Sequence, residues 1–287
     1  MISPLVRRKR LGAELLRLRK ESKLPTATIC KKTGLTTAKI SRMENATFAP
    51  NLADLMTLLP VYGVDGTRWH EIIRIAADGA ERGWWQDFGK HMGARQRINA
   101  DLEFGAALIR EFSGGVIPGL LQTADYTRAR CRVSHVRGSF APTANIDKAV
   151  EARLARQRMM RRPEGPRYTA VIDELALLRP AAPPETMRAQ IEELIHLQET
   201  DSQITIHVLP IRAVISDYWL PNASFSIYTY SDPQDPTITV IEGEARDLLL
   251  SEQSDIDTYQ DLFTRISDAV LSPESTTRLM RQITAAL

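Results

Sequence analysis

Twenty residues, Thr26 to Asn45, restrict what this chain can fold into more than any other stretch. A short segment, TATICKKT, runs into Gly34, and a second, TAKISRMEN, follows Leu35 and Thr36. Glycine accepts the left-handed backbone that ends a helix. A threonine hydroxyl satisfies the first amides of the next one. The pattern therefore predicts two short helices, 26–33 and 37 to about 45, joined by a tight turn. Pro25 can stand at the opening of the first of them, where no amide hydrogen is needed.

The side chains sort by face at ~100° per residue. Ile29 and Cys30 point inward from the first helix, Leu35 plugs the turn, and Ile40 and Met43 point inward from the second. Thr37, Ala38, Ser41, Arg42 and Asn45 share the opposite, polar face, with Lys39 and Glu44 on its flanks. A short helix with small polar residues and one arginine along an edge suits the major groove of double-stranded DNA. Small side chains allow close approach, and Arg42 can reach a guanine edge or a phosphate.

Helical periodicity continues on both sides. Leu11, Leu15 and Leu18 make one stripe on a helix from Arg7 to Ser22. Leu52, Leu55, Leu58, Leu59 and Tyr62 mark a fourth helix, with Val64 after Gly63. Trp69, Ile72, Ile73 and Ala76 mark a fifth, from Thr67 to Asp78. Charge follows the same division. Residues 1–45 hold twelve Lys or Arg against three acids, a surplus of nine in a chain of net charge +2, so the remainder is acidic. A basic head on a mildly acidic body is the footprint of a protein that meets a polyanion.

The pieces LGAELLRLRKES, ATICKKTGL, TTAKISRMEN and LADLMTLLPVYGV resemble, in order and spacing, the Cro/repressor (XRE) family of five-helix domains. The resemblance covers ~55 residues. It implies base-facing roles for Thr37, Ala38 and Arg42, with Lys39, Ser41 and Asn45 near backbone or base. It also implies a structural ion pair between Arg19 and Glu44. Two positions depart from the pattern. Thr26 stands where a phosphate-contacting glutamine is common, and Ala46 stands where glycine is common after the third helix.

Beyond a connector with Trp84, Trp85 and Phe88, the chain changes character. Leu102, Ala106, Ile109 and Phe112 recur at helical spacing and predict one amphipathic helix from Asn99 to Phe112, ended by Gly114 and Gly115. Pro118 and Gly119 make a turn, after which Leu120 to Arg130 resumes a helix. Ala149 to Arg162 reads as a basic helix, either a second DNA contact or, as its charge run favours, a solvated face turned toward acids of the body. Strands are predicted at 168–173, 204–209, 225–230 and 237–242, the last two joined as a hairpin across 231–236. A helix opens near Pro184, and two more close the chain near 256–271 and 275–287. The pieces EFGAALIREFSGGVIPGLLQTADYTRA, YTAVIDELALL, ITIHVLP and YQDLFTRISDAVLSPESTTRLM resemble the C-terminal domain of WhiJ-like actinobacterial regulators. That resemblance implies a small BldB-like partner protein encoded nearby, in pairs that resemble toxin–antitoxin systems.

Other chemistry is not visible. The five histidines are scattered, no zinc spacing or phosphate loop occurs, and adjacent Asp173 and Glu174 should point to opposite faces of a strand end. No enzyme activity, metal or cofactor is expected. No apolar run reaches the ~18 residues of a spanning helix, and no secretory apolar region follows the N-terminus. Two cysteines suit a reducing compartment. The expected protein is a cytoplasmic α+β chain: an all-α helix-turn-helix domain at 1–78, a connector at 79–101, and a mixed α/β body at 102–287. Its expected partners are double-stranded DNA, a second copy of itself as homodimer, a small protein, and, at the body, a small-molecule ligand.

Overall fold

The computed structural model describes residues 1–49, 51–136, 145–243 and 245–287. The chain divides into two compact units, one of Met1–Trp84 with the short segment Ser231–Pro236, and one of Trp85–Tyr230 with Thr237–Leu287.

The first unit is all helix: α1 (Pro4–Ser22), α2 (Thr26–Thr33), α3 (Thr37–Glu44), α4 (Leu52–Val61) and α5 (Gly66–Ala80). Local chemistry sets each boundary. The Ser3 hydroxyl accepts from the Val6 amide and starts α1 three residues earlier than the leucine stripe implies. Gly34 takes φ 72 to end α2, and the Thr36 hydroxyl accepts from the Lys39 amide to start α3. The core joins all five helices through Leu11, Leu15, Ile29, Ile40, Leu55, Leu58, Leu59, Ile72 and Ile75. Each such side chain contributes roughly 1.5–3 kcal/mol on burial. Ile75, absent from the sequence-level stripe, is buried, while Leu52 is 40 % exposed.

The second unit is built on a six-stranded sheet of order β3-β2-β1-β4-β5-β6. The strands are β1 (Ala106–Ser113), β2 (Arg167–Asp173), β3 (Ile204–Leu209), β4 (Phe225–Tyr230), β5 (Ile238–Ile241) and β6 (Leu248–Leu250). β1, β2 and β3 run parallel, whereas β1, β4, β5 and β6 pair antiparallel. The parallel connections carry helices, as they must: α7 (Ala124–Val136) and α8 (Ile146–Met160), then α9 (Glu174–Leu178) and α10 (Pro184–Thr200). α6 (Ala94–Gly105) leads into β1, and α11 (Gln253–Ser267) and α12 (Pro273–Ala286) close the chain. One sheet face packs Phe112, Val171, Phe225 and Ile227 against Phe263 and Ile266 of α11.

Two expectations are corrected and a third is refined. The helix predicted over Asn99–Phe112 is two elements: α6 ends at Gly105, and Ala106 to Ser113 is the central strand β1. The pairing of β1 with β4 shifts register between Ala106 and Leu108. That irregularity breaks the two-residue alternation, and both sheet faces are covered, so Ala106, Ile109 and Phe112 are buried at a spacing of three. Asp173 does end β2, with Glu174 opening α9, and Asp173 caps that helix by accepting from the Leu175 amide. The basic helix α8 is not simply a solvated face, since Arg156 is buried against Glu103.

Candidate nucleic-acid interface

The polar edge of α3 stands clear of its own core. Ile40 and Met43 are 2 % and 3 % exposed, whereas Thr37, Ala38, Ser41, Arg42 and Asn45 are all exposed. The turn holds this edge in place. Cys30 Sγ of α2 lies 3.6 Å from Thr37 Oγ1, and Thr33 Oγ1 donates back to the Ile29 carbonyl while accepting from the Leu35 amide. Asn45, the residue closing α3, donates to the Ser41 carbonyl and hydroxyl. Arg42 donates from Nε to the Ala38 carbonyl at 3.2 Å, and its guanidinium lies 5.1 Å from the Phe48 ring centroid. That ring orients the guanidinium in the manner of a cation–π pair. Phe48 is itself 40 % exposed.

Two candidate residues sit differently. Lys39 is half-buried and pairs with Asp54 of α4 at 2.8 Å, so its charge is already answered within the domain. Thr26 is half-buried at the first turn of α2, whose N-terminus has no side-chain cap. The amides of such a turn favour an anion.

The ion pair between α1 and α3 is present: Arg19 Nε donates to Glu44 Oε1 at 2.6 Å and Nη2 to Oε2 at 3.1 Å. This hydrogen-bonded partner holds the Arg19 guanidinium above its ordinary pKa. Other cations of the head are also committed. Arg7 and Arg10 pair with Asp232 and Asp235, and Arg17 pairs with Glu14. The exposed cations Lys20, Lys23, Lys31, Lys32 and Arg42 form the outward part of the surplus. Sequence reasoning missed Phe48, Asp54 and Gly12. An ideal Cβ at Gly12 would lie 2.4 Å from the Glu44 carbonyl oxygen, so the backbones of α1 and α3 approach directly here. A glycine inside a strong helical stripe was the available signal.

In the second unit the PGLLQT segment is a hydrogen-bonded hub. Gln122 is 5 % exposed and donates to the Ile117 carbonyl, while its own Oε1 accepts from Thr127 and Arg153. Gln157 of α8 donates to the Gln122 carbonyl, and Gln190 of α10 donates to the Leu121 carbonyl while accepting from the Thr123 amide. Three buried glutamines thus pin the segment to two helices. Beside it, Arg156 donates to both oxygens of Glu103. His207 finds the Leu271 carbonyl at 2.9 Å, as a satisfied sheet residue should. Among the described residues no cluster of His, Cys, Asp and Glu could hold a metal, and no helix is long and apolar enough to cross a membrane.

Known families match both units. A helix-turn-helix domain matches residues 10–71, so the head is a helix-turn-helix domain of the kind found in DNA-binding regulators. A domain of unknown function, DUF5753, matches residues 96–282, well over half of the chain. No curated protein and no solved structure matches it. The protein with this helix-turn-helix head and glutamine-pinned α/β body therefore belongs to the DUF5753 family.

Proposed function

We propose that the chain is a sequence-specific transcription regulator of the Cro/repressor (XRE) type. It works in the cytoplasm as a homodimer, with a WhiJ-like body that senses a partner protein or small ligand. The observation that carries this reading is the exposed edge of α3, where Thr37, Ala38, Ser41, Arg42 and Asn45 line one face of a helix whose other face is core. Thr37, Ala38 and Arg42 read base edges, Ser41 and Asn45 flank them, and Thr26 meets a phosphate. Lys39 acts mainly through its bridge to Asp54. One such head reads a half-site, and a symmetric pair gives the affinity an operator requires. We assign the chain no catalytic step and no cofactor.

A gel shift on the DNA upstream of its own gene tests this. The wild type retards the fragment, and Thr37→Ala with Arg42→Ala together abolish the specific band. Affinity falls with salt by a log–log slope near ~0.9 per phosphate neutralised. Unchanged binding by the double variant would sink the groove assignment.

An antitoxin-like alternative, in which the body neutralises a small protein and DNA binding serves autoregulation, draws support from one segment. Between β3 and β4, Val214, Tyr218 and Leu220 are 70 %, 86 % and 73 % exposed. Adjacent apolar groups this exposed are characteristic of protein contacts. Co-expression with the small neighbouring gene product separates the readings. Co-purification lost on Tyr218→Ser with Leu220→Ser favours a protein partner, and no co-purification favours a small-molecule signal.

A further inference from the structure

The second unit encloses a polar cavity of ≈ 220 Å³. The sheet register explains its floor. Ile109, Glu111 and Ser113 alternate onto one face of β1, opposite Tyr228 and Ser226 of β4. The same alternation on β5 brings Glu242, just past the strand, to that face. α6, α8 and the PGLLQT segment supply the rest of the wall. A single internal water needs ~10–15 Å³, so the space is that of a small organic molecule.

Apart from Arg130, which donates to the Ala181 carbonyl, the charges around it fall into two sets. Arg156 with Glu103, and Arg95 with Asp247 at 2.6 Å, are closed ion pairs. Arg153, Glu111 and Glu242 are not closed. Arg153 donates to the neutral Gln122 amide oxygen, its Nε is buried without a partner, and no carboxylate of the described residues lies at ion-pair distance. Glu111 accepts from the Tyr168 hydroxyl at 2.6 Å and meets no cation at that range. The Glu242 carboxylate has neither an ion pair nor a side-chain hydrogen bond among the described residues. Buried acceptors of the α6 wall, Gln96 Oε1 and Asn99 Oδ1, are also unanswered.

None of Arg153, Glu111 and Glu242 has an ion pair among the described residues, and the two with large shifts show it. Burial, reinforced by the charge of Glu242, pushes the Glu111 carboxyl up to about 8. Burial and the neighbouring Arg156 draw the Arg153 guanidinium down to about 10. All three are half-buried in the cavity wall, and ionisable groups left without a partner in a cleft mark it as a place where a ligand can answer them. The unanswered set has both signs. With Asp247 counted against Arg95 and Glu103 against Arg156, the lining keeps Arg153 and Arg130 facing Glu111 and Glu242, and Arg130 donates to the Ala181 carbonyl. A ligand of net charge would satisfy one pole and leave the other bare.

We propose that this cavity binds a small zwitterion of the amino-acid class, its ammonium held by Glu242 beside the Glu111 carboxyl and its carboxylate by Arg153. The proposal names the ligand for the sensing body and rests on that reading only for the effect on DNA. Occupancy itself depends on the second unit.

The full chain is screened by thermal melting against the twenty protein amino acids singly, with propionate and ethylamine as one-pole controls. Isothermal titration then measures the best responder. One or more amino acids should raise Tm, each control should bind at least tenfold more weakly, and Arg153→Met and Glu242→Gln should each weaken binding tenfold or more. Glu242→Gln is isosteric and carries the test if Arg153→Met does not fold. No stabilisation by any amino acid, equal affinity for a one-pole control, or wild-type affinity in Glu242→Gln would overturn the proposal. A gel shift with and without the bound amino acid keeps the two readings apart. Binding that leaves the shift unchanged upholds the site and removes the ligand-sensing role.

Discussion

Replacing Gly12 by alanine tests the packing that presents α3. On propensity alone the change is favourable, because alanine in a helix interior is better than glycine by ~1 kcal/mol. The structure opposes it. The added Cβ would stand 2.4 Å from the Glu44 carbonyl oxygen, 3.0 Å from its carbon and 3.1 Å from the Met43 carbonyl oxygen. Carbon and oxygen settle at ~3.3–3.6 Å even in favourable contacts, so the end of α3 must retreat by about 1 Å. Overpacking typically costs ~1–3 kcal/mol, and backbone cannot swing aside as a side chain can. The retreat also pulls Glu44 from Arg19, a bridge now 2.6 Å long. The clash and the strained bridge together outweigh the propensity gain by ~2 kcal/mol. Native-state hydrogen exchange reads this locally. Amides of α1 and α3 should exchange ~30-fold faster in Gly12→Ala, with β1 and β2 unchanged. Gly79→Ala is the control, since its Cβ would come no nearer than 3.1 Å to Arg8 Cγ and 3.4 Å to the Arg8 nitrogen. Exchange in Gly12→Ala as slow as wild type, or slower, would refute the close-approach reasoning.

Two other changes have opposite signs. Ala46 holds φ 54, a left-handed backbone that costs a residue with a Cβ ~1–2 kcal/mol. Glycine returns part of that through its freer unfolded chain, so Ala46→Gly should stabilise the head by ~0.5–1 kcal/mol, read as slower exchange in α3. Glu111 is pushed up from 4.5 to about 8, so the folded chain holds its proton where the unfolded chain has lost it. Stability from this group is therefore present below pH ~4.5 and is lost as pH rises toward ~8. Melting curves across that window should show the wild type losing Tm relative to Glu111→Gln, and parallel profiles would contradict the assignment.

The head was legible because its determinants are local. Gly34, Thr36 and the spacing of Leu11, Leu15 and Leu18 act within one or two turns, and α2 spans the residues its end signals delimit. Gly12 and Ala46 were less so. The sequence reads Gly12 as a propensity loss, and only the proximity of Glu44 supplies its reason. Ala46 stood out as a departure from a family pattern, and its φ turns that departure into a cost. The charge surplus was legible as a sum and not as a surface. Arg7, Arg10, Arg19 and Lys39 pair across elements and Arg17 pairs within α1, so the exposed lysines and Arg42 carry the outward field.

The body shows how one misassigned element can conceal a site. Read as a helix, Ala106 to Phe112 puts Ile109 and Phe112 on one buried stripe and leaves Glu111 to solvent. Read as a central strand, the same residues send Ile109 and Phe112 to opposite faces, with Glu111 beside Ile109. Glu111 then lies under the sheet face that Tyr168, Ser226 and Tyr228 share, within reach of the Tyr168 hydroxyl. The period of three that imitated a helix comes from a register shift and from burial on both sides, and no window of local sequence contains either cause. The basic run on α8 follows the same logic. Arg153 and Arg156 look like a solvated face until β1 brings Glu111 and α6 brings Glu103 beneath them. A glutamate with raised pKa and an arginine lacking a carboxylate are thus products of one topology, which is why the cavity must be tested at both poles together.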